Sequence, residues 1–475
     1  MVTGRLAVMA PQRATLKRLM GWSYRTLEEE VKTNAGWRWV SGLYGEAMPR
    51  FQTVQTREAM LTPTTLALIN RQAVNSAVEL ELTCGEWLRK VAQPLERAAR
   101  LRGAMDSSAT DSDIHYPTDS SLLDDSARVL SRTFKRARKV VRPESLEEKA
   151  WFRDGPSKGH FRHRQAHRLA WKIAKQARKT EKNSPKAYTD LLKIVGLLVE
   201  QAKQVQERLG KLESYAAQKL SAVLEHYVPL VQQVVWQTQQ RIIHNIKVAQ
   251  PLERAARLRG AKVEASDKLL SLFEPHTDII VRGKAKPNDV EFGHKVWFAE
   301  VEGGYISEYR ILGGNPREGG PSRPCGPFEG LGHTSFVTPT QVALRGAIRH
   351  HRQIFGHAPT VCAGDRGLHS TANEHQAHDL GVKRVSLPKP GYKSAERKAY
   401  EHQPWFRAAQ RFRNGIEGRI SQLRRARRLD RDTPSRGCCL NVGLSGFQRW
   451  VGWGVIANNI SLLANHLAKT ASLAF

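Results

Sequence analysis

Cysteine is scarce in this chain, and acidity is outweighed. Five Cys in 475 residues, at 84, 325, 362, 438 and 439, show no paired spacing. Cys438 and Cys439 are adjacent and cannot easily bridge each other. With no CxxC, a zinc ribbon or a thiol-redox motif is not expected, and a reducing compartment fits. Long apolar runs are also missing. The longest charge-free apolar stretch near the C-terminus, 451–468, carries Asn458, Asn459, Asn465 and His466. A bilayer core penalises such groups, so no transmembrane helix is expected. The apolar run in MVTGRLAVMAPQR is too short for a secretory signal.

The shortage of carboxylates is the most informative absence. There are 45 Asp+Glu against 75 Lys+Arg, a formal charge of +30. That is too basic for an ordinary metabolic enzyme and points to a polyanionic partner, most often nucleic acid. At 40% hydrophobic residues the chain is not disordered as a whole. Its length implies two to four domains at roughly 100–200 residues each.

Residues 12–85 carry helical signals. Thr26 with Glu29 has the spacing of a capping box, and Thr62-Pro63 reads as a helix start. A DNA-reading helix-turn-helix and a plain helical packing domain are both compatible with this segment. Residues 105–123 turn polar and acidic, and 132–182 strongly basic. Between 188 and 246, apolar residues return at spacings of three and four, predicting long amphipathic helices. From about 277 the period changes to two. DIIV, VEFGHKVWFAEV and YISEYRIL predict strands, with Gly303-Gly304 as a hairpin turn. Gly and Pro mark 313–339 as a loop. A helix over 340–356, strands at TVCAGD (360–365) and VKRVSL (382–387), and a basic helix over 396–428 complete an α/β pattern. The segment VAQPLERAARLRGA occurs at 91–104 and again, letter for letter, at 248–261. Two identical copies do not make a solenoid and suggest a recent duplication.

Three acids draw attention. Asp365, in AGDRGLHS, ends an apolar strand just before a glycine turn, where α/β sheets place ligands. Glu417 lies in RFRNGIEGRISQLRR, a helix crowded with Arg. There it is either a salt-bridge partner or a functional acid. The third lies among Asp106, Asp111, Asp113 and Asp119, which alone read as turn and cap residues. Carboxylates from two strands and a helix can hold two divalent cations and drive phosphodiester chemistry. His369 and His375 are near Asp365 but read as ordinary surface or core residues, and Trp450 and Trp453 read as core.

The chain resembles a bacterial insertion-sequence transposase of the DDE type, of the ISNCY-like group. The resemblance rests on SYRTLEEEV, DIHYPTDSSLL, LFEPHTDIIVRGKA, EFGHKVWFAEVEGG, GDRGLHS, GVKRVSLPKPGYKSAERKAYE, FRNGIEGRISQLRR and QRWVGWGVIANNI, in that order from about residue 20 to 460. It implies an α/β ribonuclease-H-like catalytic domain interrupted by a helical insertion and preceded by an all-α N-terminal domain. The corresponding ranges are 1–90 for the helical DNA-binding domain, 91–123 for the first part of the catalytic domain, 124–268 for the insertion and 269–475 for the remainder. The implied triad is Asp106, Asp365 and Glu417, holding two Mg²⁺ or Mn²⁺ ions, with Asp111 and Asp119 as rivals for the first acid. Residues 103–109, which that resemblance would make a strand, are poor strand formers. Arg366, Arg413, Arg419 and Arg424 are candidates for phosphate contacts, or else solvated helix surface. The implied partners are double-stranded DNA, as element ends and target, and further copies of the chain assembled on it. The implied setting is the bacterial cytoplasm, at the nucleoid. The competing reading is a catalytically inactive remnant that only binds DNA; a third is a nuclease relative acting on RNA.

Overall fold

The computed structural model describes residues 2–96, 117–141, 159–180, 185–248, 268–281, 290–312, 339–427, 429 and 443–473. The chain forms two compact units. One combines Met1–Asp113 with Asp278–Phe475; the other is Ile114–Thr277. These divisions fall at 113/114 and 277/278, against the 123/124 and 268/269 expected from the sequence.

The first unit opens with five helices: α1 (Val2–Met20), α2 (Tyr24–Thr33), α3 (Ala35–Val40), α4 (Phe51–Met60) and α5 (Pro63–Glu79). Leu16, Leu27, Val31, Leu43, Met48 and Val54 form a small core among the first four. The cap of α2 is Ser23, whose hydroxyl accepts the Thr26 N–H at 3.0 Å. Thr26 therefore lies in the first turn, not at the cap position its spacing to Glu29 suggests. Thr62 caps α5 with Pro63 in the first turn, as the sequence reads.

A six-stranded sheet follows, built from β1 (Trp87–Glu96), β2 (Asp278–Val281), β3 (Val290–Val301), β4 (Ile306–Leu312), β5 (Val361–Ala363) and β6 (Arg384–Ser386). β3 pairs antiparallel with β1, β2 and β4. β1 then pairs parallel with β5, and β5 parallel with β6. The Gly303-Gly304 turn between β3 and β4 needs glycine twice, at φ 76° and 85°.

β1 is the strand the sequence did not predict. It overlaps the first half of the duplicated block and contains Pro94, which argues for an edge position. Yet β1 is central. The conflict is relieved because β5 pairs with Trp87–Arg89, so that among the described residues Pro94 has a single strand neighbour, Lys295 of β3. The start of β1 is fixed by Glu302, whose carboxylate accepts the Trp87 N–H. Burial holds that carboxyl above the usual carboxylate range.

Helices cover the sheet. These are α10 (Pro339–Phe355), α11 (Thr371–Asp379), α12 (Ala395–His402), α13 (Pro404–Arg427) and α14 (Gly443–Leu473). The basic helix expected over 396–428 is two helices, broken at Pro404, which cannot continue the ladder of α12. Among the described residues, no helix is long and apolar enough to cross a membrane. Asn458 and Asn459 of α14 are buried, whereas Asn465 and His466 are exposed. Asn459 accepts the Ile306 N–H at 3.0 Å and donates to the Ile306 carbonyl and to Asn70 Oδ1, both at 2.9 Å. Asn70 of α5 also donates to that carbonyl at 2.9 Å. Gly452 lets α14 pass close to the Tyr309 side chain and to Leu66, where a Cβ would collide. Trp450 and Trp453 are buried, as expected.

The second unit is helical: α6 (Asp119–Val141), α7 (Gly159–Thr180), α8 (Pro185–Gly210) and α9 (Tyr215–Val248). Leu123, Leu130 and Phe134 meet Ile173, Leu191, Val195 and Leu224 in its core. The amide of Gln237 closes it by a reciprocal pair with the Leu269 backbone, 3.1 Å each way.

Asn459→Ala leaves a buried backbone N–H and the Asn70 amide without their partner. Such a loss costs about 2 kcal/mol. Urea unfolding followed by circular dichroism should show the midpoint fall accordingly; an unchanged midpoint would mean that the network contributes nothing.

Candidate active site

Asp365 follows β5 by two residues, at the carboxyl end of a strand lying between β1 and β6. A 3-10 turn, Arg366–Leu368, carries the chain away from the sheet. Helix α13 lies over this end. Its Ala409 packs on Val361 and Ala363, and its Gln410 amide donates to the Ser386 hydroxyl at 2.8 Å and the Ser386 carbonyl at 3.0 Å. The same amide reaches the Gly364 carbonyl at 3.3 Å, so one side chain ties α13 to both parallel strands beside Asp365. One turn further, Arg413 Nη2 lies 3.9 Å from Asp365 Oδ2. Glu417 is four residues beyond Arg413 on the same helix; its backbone is described, and its side chain lies outside the described residues.

Asp365, Gln410 and Arg413 border a cleft of about 560 Å³, whose lining also includes Arg366, Lys393 and Arg407. Lys393 and Glu401 of its lining belong to an ion network the sequence did not reveal. Arg397 grips Glu374 with two nitrogens, at 2.7 and 3.1 Å, and donates to Glu401 at 2.9 Å. Burial works to raise the Glu401 carboxyl. Donation from Lys393, from the Lys389 N–H and from Arg397 outweighs it and carries the group below the usual carboxylate range. Only the Arg397–Glu401 spacing of four could have hinted at this, because the other partners meet through the fold.

The remaining candidates are distributed as follows. Asp106 and Asp111 lie outside the described residues. Asp119 is the first residue of α6 in the helical unit and pairs with Arg241 at 2.7 Å. Counting on from the Arg89–Ala363 pair, the position on β1 level with Asp365 is Val91. Among the described residues, no group of three or more His, Cys, Asp or Glu is placed to hold a metal ion. Glu401, the other acid lining the cleft, is engaged by its own donors.

Of the four candidate phosphate-contacting arginines, Arg366 is exposed. Arg413 is turned to Asp365. Arg419 Nε lies 3.4 Å from Glu300, a fully buried acid on β3, and the absent side chain of Gly304 leaves room for its guanidinium. Arg424 is buried. Arg419 thus meets an internal carboxylate and Arg424 is buried, so neither is freely solvated helix surface. His369 has its pKa lowered, chiefly by burial, and sits 3.8 Å from Glu374, while His375 is exposed.

No family model, curated protein or solved structure matches the chain.

Arg419→Ala removes the guanidinium from the buried Glu300 carboxylate, and breaking a buried pair from one side costs about 3 kcal/mol. Thermal unfolding should show that loss, largely recovered by adding Glu300→Gln. Equal stability of the single variant and wild type would remove the ion pair from the account.

Proposed function

We propose that this chain is a DNA transposase of the DDE type, cutting and joining the ends of an insertion sequence by phosphoryl transfer at Asp365 and Glu417. The observation that carries the reading is the position of Asp365. It stands at the carboxyl end of a parallel strand, beside the helix that bears Glu417, in a cleft rimmed by cations. The mixed sheet, with helices over it, supports the ribonuclease-H-like assignment that the sequence resemblance implies. Asp106, Asp365 and Glu417 would hold two Mg²⁺ or Mn²⁺ ions, which when bound activate the attacking oxygen and stabilise the leaving one. Gln410 sets the approach of α13 to β5 and β6, and Arg413 orients the Asp365 carboxylate. Arg366 and Arg407, both exposed at the cleft, meet the phosphate backbone. In this reading the protein works as a homo-oligomer on double-stranded DNA, in the bacterial cytoplasm at the nucleoid.

The second reading is a DNA-binding protein that does not cut. Two observations favour it: counting on from the paired residues, β1 has Val91 level with Asp365, and the Arg413 guanidinium lies 3.9 Å from the Asp365 carboxylate.

The test uses a plasmid carrying the gene with its flanking DNA, incubated with the full chain and Mg²⁺. Cleavage at the element ends is expected. Asp365→Asn and Glu417→Gln should each lose more than the roughly 10–100-fold typical of groups one shell out from a metal. Cutting that survives both substitutions sinks the site assignment. A wild-type chain that retards the flanking DNA in a gel and never cuts it establishes the second reading.

A further inference from the structure

We propose that the outward face of α7 in the helical unit is a second DNA-binding surface, gripping duplex phosphates through Arg164, Arg168, Lys172 and Lys175 around an exposed Trp171. The inference shares its DNA partner with the proposed function but none of its carboxylates.

Helix α7 holds seven Lys and Arg and no Asp or Glu over its 22 residues. Its inward stripe is small and apolar: Ala166, Ala170 and Ile173 are buried against the helical core. The outward stripe puts like charges one turn apart, at Arg164–Arg168 and Arg168–Lys172, with Lys175 three residues further. All four are exposed. Such pairs weaken a helix by about 0.2–0.5 kcal/mol each, and among the described residues no carboxylate pairs with Arg164, Arg168 or Lys172 to offset the repulsion. A polyanion does. Asp124 of α6 meets this helix at the histidines instead, 2.8 Å from His167 and 3.7 Å from His163.

Trp171 sits in the middle of the stripe at 61% exposure, with Lys175 Nζ 4.8 Å from its ring centroid. A large aromatic held out among cations has an apolar face to lay on sugar or base and a cationic neighbour for the adjoining phosphate. The neighbouring helix α6 adds exposed Arg132, Lys135, Arg136 and Lys139, and its own acids are confined to its first two turns. From Arg164 to Lys175 the stripe is about 16 Å long at 1.5 Å per residue. B-DNA sets about ten phosphate charges along that length, counting both strands.

The experiment is lysine acetylation of the full-length protein, read by mass spectrometry, with and without a mixed-sequence DNA duplex. Lys172 and Lys175 are expected to be protected by the duplex. In parallel, Arg164→Gln/Arg168→Gln/Lys172→Gln should make the plot of log affinity against log salt shallower by up to about 2.7, at 0.9 per lost phosphate contact. Lys172 and Lys175 as reactive with duplex as without it would overturn the inference. So would protection by anionic phosphatidylglycerol vesicles but not by DNA, which would make the surface a membrane contact. The two proposals separate cleanly. A chain that never cuts yet shows protected lysines loses the nuclease chemistry alone, and a chain that cuts with reactive lysines loses this surface alone.

Discussion

The unit that carries the sheet depends on one backbone position. Ile306 begins β4, and its N–H and carbonyl are taken up by the side chains of Asn70 and Asn459, which come from helices at opposite ends of the sequence. A buried peptide group needs partners, and here they come from α5 and α14. Because the two amides also bond each other, neither helix can shift without stranding polar groups in the core. That clamp fixes α5 and α14 against β4, and through β4 against the sheet that positions Asp365.

A second constraint holds α13. β3 brings the buried Glu300 carboxylate under α13, and Arg419 answers it through the gap left by Gly304. The glycine turn is thus required for its backbone angles and for the space it clears. Together with Gln410 on Ser386 and Gly364, this sets where α13 lies, and so where Arg413 and Glu417 fall along the sheet edge. The arginines that the sequence offers as phosphate contacts or solvated surface are divided by the fold into internally paired and solvent-facing members.

Much of the architecture was legible in the residues. The period-two runs at 278–281, 290–301 and 306–312, the strand before Asp365 and the long helices of the middle segment all lie where their patterns put them. Each of those signals is local: alternation, spacing or a turn pair. β1 was not legible, because WLRKVAQPLE does not alternate cleanly and holds a proline, and its central place depends on β5 pairing with three residues only. The split at Pro404 was visible as a proline but was masked by the cations on either side of it, at Arg397, Lys398, Arg407 and Arg411. At the candidate site, Asp365 was legible from its strand end, whereas the Glu374–Arg397–Glu401 network was not, since its members are brought together by α11 and α12.

By itself, the sequence determined the cationic character, the division into helical and mixed segments and the identity of the acid at the end of β5. These follow from composition and short-range periodicity, which the chain carries wherever it goes. The tertiary structure decided which charges face solvent and which are internal partners. A guanidinium is stabilised by solvent, by a polyanion or by a buried carboxylate, and the choice depends on what long-range packing places beside it. Arg419 met Glu300, Arg413 met Asp365, and Arg164, Arg168 and Lys172 were left facing outward.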